Sequence, residues 1–231
     1  MCGRFTITVT IEELLLRYGI DAASSLFHEP RYNIAPGQPV PAVISDGIRN
    51  RIGPLMWGLV PEWLGEASKG PPLFNARGET VAEKPAFRTA FRQKRCLVPA
   101  DSFYEWKKSS DGKRKQPMRI LLKDGSLFSM AGLYESWTTP DGRKISTCTV
   151  ITTTPNELMA DIHDRMPVIL RNRDDERKWL DKSQKAEQLM MLLQPYPTEE
   201  MQAYPVSSTV GNVRNDTEAC ILRVPELLPP L

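Results

Sequence analysis

Residues 111–153 read DGKRKQPMRILLKDGSLFSMAGLYESWTTPDGRKISTCTVITT, and their punctuation decides the fold class. Asp-Gly steps at 111–112, 124–125 and 141–142 separate the strand-like runs Met118–Leu122, Leu127–Tyr134 and Ile145–Thr153. Such steps favour tight hairpins that return the chain antiparallel to itself, so the core expected is a largely antiparallel sheet system with three hairpins here. A fourth lies upstream, where Asp46-Gly47 joins an apolar run from Val40 to Ile44 to a second one through Ile52 to Trp63. Between these blocks Cys96–Ala100 leads into Asp101-Ser102-Phe103-Tyr104-Glu105-Trp106. Period-two alternation there puts Phe103 and Glu105 on one face and Tyr104 and Trp106 on the other.

Helices punctuate the sheet. Thr10 and Glu13 form a capping box that starts a helix through Leu14 and Tyr18, stopped at Gly19. Phe87, Ala90 and Phe91 give one apolar helical face over 85–92, a short helix starts near Asn156, and 174–193 reads as helical cover. Residues 31–39, RYNIAPGQP, are expected as a rigid loop because their prolines forbid regular helix. The Gly- and Pro-rich 65–72 reads as a mobile connection, and Met201–Val206 as a late strand. The class expected is α+β, one domain over 1–231, with a core of about 1–222 and a peripheral tail at 223–231.

With 231 residues, 41% hydrophobic and 25% charged, the chain is long enough for a sizeable core. Arg4, Glu12 and Glu13 interrupt any apolar leader and no run reaches membrane-span length, so a cytosolic protein is expected. Cys2, Cys96, Cys148 and Cys220 show no CxxC spacing, and the two histidines, His28 and His163, are far apart. Neither a zinc site nor a disulfide framework is expected, and three of the thiols read as buried. A net charge of +2 requires that any nucleic-acid binding rest on a local groove.

Six features carry candidate chemistry, each beside a plainer reading. If Met1 is removed, Cys2 presents a free amine and a thiol on adjacent carbons. An aldehyde can then form an imine with the amine, and the sulfur can close a thiazolidine ring. Otherwise Cys2 is an ordinary small residue near a frayed end. Glu105 among aromatics is a proton-transfer candidate or a carboxylate paired with arginine. His163 at a helix end is catalytic or structural. Asn75 can donate and accept hydrogen bonds and Arg77 offers a fork suited to phosphate, or the two belong to a turn with an Arg77–Glu79 pair. Trp57 and Trp63 stack on bases or fill the core. Lys84, Arg88, Arg92, Lys94 and Arg95 form a basic patch or a solvated face.

Together these pieces closely resemble the SRAP family, the SOS-response-associated peptidases also called abasic-site processing proteins. The carriers are MCGRF at 1–5, RYNIAPG at 31–37, WGLVPEW at 57–63, NARGET at 75–80, RCLVPADSFYEW at 95–106 and HDRMPV at 163–168. The resemblance covers nearly the whole chain. It implies a barrel-like sheet core with peripheral helices and binding to single-stranded DNA bearing an abasic site, whether free or at a junction with duplex. It also implies a lyase-type crosslinking activity in which the sugar aldehyde is held on Cys2 as a thiazolidine during the DNA damage or SOS response.

By the same resemblance Asn75 contacts the opened sugar or the Cys2 region, Glu105 and His163 manage proton transfers, and Arg4 and Arg77 hold flanking phosphates. Trp57 and the Pro36, Gln38 and Pro39 loop would bend or unstack the strand. Removal of Met1 by the protein itself or by a methionine aminopeptidase both remain open. No metal or organic cofactor and no membrane partner are expected, and a monomer of the bacterial or phage branch is. The rivals are a cysteine or N-terminal-nucleophile peptidase or amidohydrolase using Cys2, Glu105 and His163, and a non-catalytic single-strand-binding module.

Overall fold

The Asp141-Gly142 step makes the hairpin that its sequence demands, with Gly142 at φ 87°, between the two longest strands of the molecule. A computed structural model of the chain describes residues 2–21, 28–63, 71–109 and 112–226. Met1, Asp111, most of the 65–72 connection and the tail beyond Glu226 lie outside the described residues. In chain order the elements are β1 (Phe5–Ile7), α1 (Ile11–Tyr18), β2 (Arg31–Ile34), β3 (Pro39–Ser45), β4 (Asn50–Trp57) and β5 (Asn75–Arg77). Then come α2 (Arg88–Gln93), β6 (Arg95–Ala100), β7 (Ser102–Lys108), β8 (Lys115–Leu122), β9 (Phe128–Thr138) and β10 (Lys144–Thr153). The remainder are α3 (Glu157–Ala160), β11 (Met166–Pro167), β12 (Ile169–Leu170), α4 (Arg173–Leu180), α5 (Ala186–Met190) and β13 (Met201–Pro205).

Five strands close into a ring. β3 pairs with β4, β4 with β10, β10 with β9, β9 with β6 and β6 back with β3. Only the β4–β10 contact is parallel within this ring, with Thr147 opposite Met56 and Cys148 opposite Trp57. β5 also pairs parallel to β10, whereas β11 and β12 add antiparallel to β10 and β9. A second, wholly antiparallel sheet has the order β13-β8-β7-β1-β2. The fold is α+β, a closed barrel beside an open sheet.

Two sequence readings are corrected here. Asp124-Gly125 is not a hairpin: β8 is already flanked by β7 and β13, and β9 by β6 and β10, so the step passes the chain from the open sheet to the barrel. Residues 31–34 are not loop but β2, which pairs with β1, and the prolines restrict only the turn that follows. The hairpins at 46–47 and between β7 and β8 form as expected. So does α1, whose Thr10 and Glu13 bond reciprocally and whose C-cap is a left-handed Gly19.

Alternation along β7 serves two cores. Phe103 lies in the main core with Phe5, Trp57 and Ile120, while Tyr104 on the other face packs with Val206, Val210 and Cys220. The basic stretch before β6 also turns inward, because Arg95 is buried and donates to the carbonyls of Phe91 and Arg92 and of Trp179 and Asp181. One guanidinium thereby satisfies the otherwise orphaned carbonyls at the C-terminal ends of α2 and α4. Lys94 pairs with Glu135 at 2.5 Å, so two of the five charges read as a patch act inside the fold. Cys96, Cys148 and Cys220 are buried free thiols. Among the described residues no helix is long and apolar enough to cross a membrane.

Candidate functional site

The open sheet sets the N-terminal segment against β7. Phe5 lies opposite Phe103, and Tyr104 N–H donates to Arg4 O at 2.9 Å, a register that directs residues 2 and 3 toward Glu105 and Trp106. Cys2 is wholly buried. Burial drives its thiol pKa far above the ordinary value, and the charge of Glu105 pushes the same way. Glu105 itself is 3% exposed, and burial lifts its carboxyl to about 7. It therefore holds its proton about half the time near neutrality, the condition under which one group serves as both acid and base.

His163 ends the turn after α3, where its N–H donates to Met159 O at 2.7 Å. Its Nε2 stands 3.8 Å from Glu105 Oε2. That exceeds a hydrogen bond but is within reach of one through a small shift or a bridging water. Nδ1 accepts from Arg165 N–H at 3.0 Å, and Asp164 Oδ1 also lies 3.0 Å from it. Burial lowers the imidazole pKa, so the ring is neutral at pH 7. Glu105 and His163, 58 positions apart in sequence, thus face one another.

Trp57 ties this pair of elements to a third. It is wholly buried, edge-on to Phe5 at 5.0 Å, and its Nε1–H donates to Phe74 O at 2.8 Å. A base-stacking role for Trp57 is corrected by that burial, since neither ring face is open to a base; the neighbouring Trp63 is the exposed one, at 67%. Phe74 O also accepts from Asn75 Nδ2 at 2.9 Å. Among the described residues, Asn75 Oδ1 is buried with no hydrogen-bond partner. A buried amide acceptor left in this state costs about 1–3 kcal/mol, which suits a group that awaits a ligand. Period two along β5 puts Arg77 on the same face as Asn75, at the exposed end, while Ala76 is buried between them.

Arg77 does not pair with Glu79. That carboxylate takes Arg165 instead, at 2.5 and 2.9 Å, and Arg165 also donates to Thr152 O at 2.7 Å. Arg4 is held by Asn33 Oδ1, Val210 O and Gly211 O at 3.0, 2.6 and 3.1 Å, with its Nε–H and one further N–H outside these bonds. Pro36 and Gly37 form a turn closed by Gln38 N–H to Ala35 O, and Gly37 at φ 84° is where this turn type requires glycine. Gly37 N–H donates to Trp57 O and Trp57 N–H to Gln38 O, which fastens the partly exposed Pro36–Pro39 loop to the Trp57 wall.

Sequence reading missed Arg165, Asn33 and Asp216. Asp216 accepts from the N–H groups of Tyr32 and Asn33 at 2.5 and 2.9 Å and pairs with Arg31, whose other end holds Gln38 Oε1 at 2.8 Å. Arg165 and Asn33 sat inside quoted motifs and were the available signal; Asp216 had none. Among the described residues no three or more His, Cys, Asp or Glu side chains are grouped to hold a metal. A surface cavity of about 630 Å³ lined by Arg17, Lys123, Arg171 and Tyr196 contains none of the candidate residues.

The site therefore belongs to the class of proteins that set an N-terminal thiol beside a carboxyl and an imidazole on a barrel-and-sheet scaffold. Residues 1–213 match the family described as SOS response associated peptidase (SRAP), and the chain belongs to that family. It is 49% identical over 96% of its length, and 99% of the relative's, to abasic site processing protein YoqW of Bacillus subtilis. It is 32% identical to abasic site processing protein HMCES of Pongo abelii, over 84% of this chain and 65% of that one. A crystal structure of a protein from Bacteroides thetaiotaomicron superposes with a TM-score of 0.87 at 29% identity, covering 96% of this chain and 100% of the other. A phage-related protein from Bordetella bronchiseptica gives 0.70 at 27% identity, over 90% and 95%.

Proposed function

We propose that this chain processes abasic sites by capturing the ring-opened sugar aldehyde of a single-stranded DNA lesion on Cys2 once Met1 has been removed. The observation that carries the reading is the arrangement of a buried Cys2 beside a carboxyl that titrates near 7 and faces a neutral imidazole. The names of the relatives supply the lesion.

In the first step the Cys2 amine adds to the aldehyde carbon, and loss of the resulting hydroxyl as water gives a protonated imine, an iminium that retains its N–H. Protonated Glu105 supplies the proton for that departure. In the second step the sulfur adds to the imine carbon. The thiol is protonated at neutral pH, so the newly formed Glu105 carboxylate takes the S–H proton, the nitrogen keeps the N–H that it carried as an iminium, and the five-membered ring closes with one water lost overall. Glu105 ends as it began. His163 steadies Glu105 through Nε2, and the unpaired Asn75 Oδ1 accepts a sugar hydroxyl. Arg77 and the remaining donors of Arg4 hold phosphates beside the lesion, and the Pro36–Pro39 loop borders the strand.

Peptide hydrolysis by Cys2 is the weaker reading, because it works best through a thiolate and burial here opposes one. The test is an oligonucleotide with one abasic site, mixed with protein that mass spectrometry shows to begin at Cys2 and run on a denaturing gel. A shifted band stable without borohydride and lost in Cys2→Ser is expected. Absence of that band sinks the proposal.

A further inference from the structure

Nδ1 of His163 stands between two partners that it cannot satisfy together. If Nδ1 carries a proton it donates to Asp164 Oδ1, 3.0 Å away; if it does not, it accepts the Arg165 main-chain N–H, also at 3.0 Å. The choice fixes the other nitrogen. Accepting from Arg165 places the single ring proton on Nε2, the atom that faces Glu105 Oε2. Donation to Asp164 would leave a neutral ring with a bare Nε2 facing the same carboxyl. Only the first state lets Nε2 face Glu105 as a donor, adding to the other groups that favour its carboxylate form.

Two features weight this choice. The turn 163–165 is pinned at its far end by Arg165, whose buried guanidinium reaches Glu79 through both terminal nitrogens and also donates to Thr152 O. A forked pair of this kind fixes orientation as well as distance. Glu79 belongs to the turn after β5, and Thr152 lies on β10 opposite Arg77. The barrel wall thus sets the main chain at residue 165. Asp164, in contrast, is exposed, and its carboxylate must give up water to reach Nδ1.

We infer that Glu79 is a positioning residue for the proposed reaction: by clamping Arg165 it holds the 163–165 turn so that His163 stays in the Nε2–H form facing Glu105. The inference rests on the proposed function for its kinetic consequence but not for its structural one. Glu79 acts through Arg165 and a main-chain N–H, and what it supplies is a charged pair of oxygens that accept from both terminal nitrogens, which Gln cannot provide and a shorter Asp can provide in part.

The test uses the full chain and the fact that it holds two histidines. Long-range proton–nitrogen spectra of the imidazoles, with His28→Gln to assign them, report the tautomer directly. Wild type at pH 7 is expected to show His163 with its proton on Nε2, and Glu79→Gln to show a mixture of both tautomers. At saturating DNA the crosslinking rate of Glu79→Gln falls about tenfold, and Glu79→Asp recovers part of both. Because Glu79 is partly exposed, its replacement is compatible with folding, which melting curves verify; should Glu79→Gln unfold, Glu79→Asp carries the comparison. An unchanged His163 tautomer in Glu79→Gln overturns the inference, whatever the rate does. If wild type forms no crosslink, the proposed function fails, and the imidazole spectra still decide the clamp.

Discussion

Glu105 and Glu176 are buried to nearly the same degree, 3% and 5% exposed, yet they do different work. Glu176 on α4 receives both ends of the Arg17 guanidinium, at 3.1 and 2.6 Å, and the Ser129 hydroxyl at 2.6 Å. Its charge is matched where it lies, and it fastens α1 and α4 to β9. Glu105 faces an imidazole that burial keeps neutral, and its carboxyl is lifted to about 7. Burial raises the cost of a carboxylate in both places. A guanidinium bonded through both terminal nitrogens turns that cost into architecture, while at Glu105 burial outweighs the groups that lower its pKa and leaves a proton that is easily moved.

The contrast breaks most visibly in rates. Glu105→Gln keeps the shape but cannot cycle a proton, and the crosslinking rate at pH 7 is expected to fall about 10²-fold or more. A timed gel series measures it, and Glu176→Gln run alongside should match wild type. Stability inverts the order. Glu176→Gln weakens a largely buried pair and should cost about 2–3 kcal/mol in urea unfolding, at the low end for such pairs because Arg17 keeps some solvent contact.

Glu105→Gln should instead stabilise the fold at alkaline pH. The folded pKa near 7 lies above the unfolded value of about 4.3, so the folded state binds the proton more tightly. Wild-type stability is then full below about pH 4 and declines as pH rises through about 7. Removing that decline should favour the variant by roughly 1–3 kcal/mol at pH 8, with little difference at pH 4. Equilibrium unfolding at the two pH values checks the sign. The smallest effect is expected at Arg77→Ala, a few-fold loss in affinity for single strands with the salt dependence lowered by about one counterion.

What the sequence made legible was local. The capping box of α1, the Asp46-Gly47 hairpin and the inward face of Glu105 follow from residues a few positions apart. The Asp124-Gly125 step was misread because a turn signal says that the chain reverses, not which sheet it rejoins. The burial of Trp57 was equally hidden, since Phe5 and Phe74, which pack on it, come from β1 and from the approach to β5. Arg95 looked like part of a surface patch because half of the carbonyls that it caps, those of Trp179 and Asp181, lie at the end of a helix more than eighty positions away. Cys2, Glu105 and His163 were each noticed as residue types, but their grouping came from the family likeness alone. Long-range pairings of this kind leave no trace in composition or period.

The placement of β1 has a consequence for how the chain is made. Phe5 pairs with a residue synthesised about a hundred positions later, and Arg4 is held by carbonyls at Val210 and Gly211. At roughly 5–20 residues per second, translation leaves the first strand without its β7 neighbour for several seconds. The β1–β2 pair available before then is too small to be stable alone. Residue 2 thus stays in water for an interval on the ribosome, the one in which the Met1 removal proposed above is expected to occur, and that interval closes once the open sheet assembles over it.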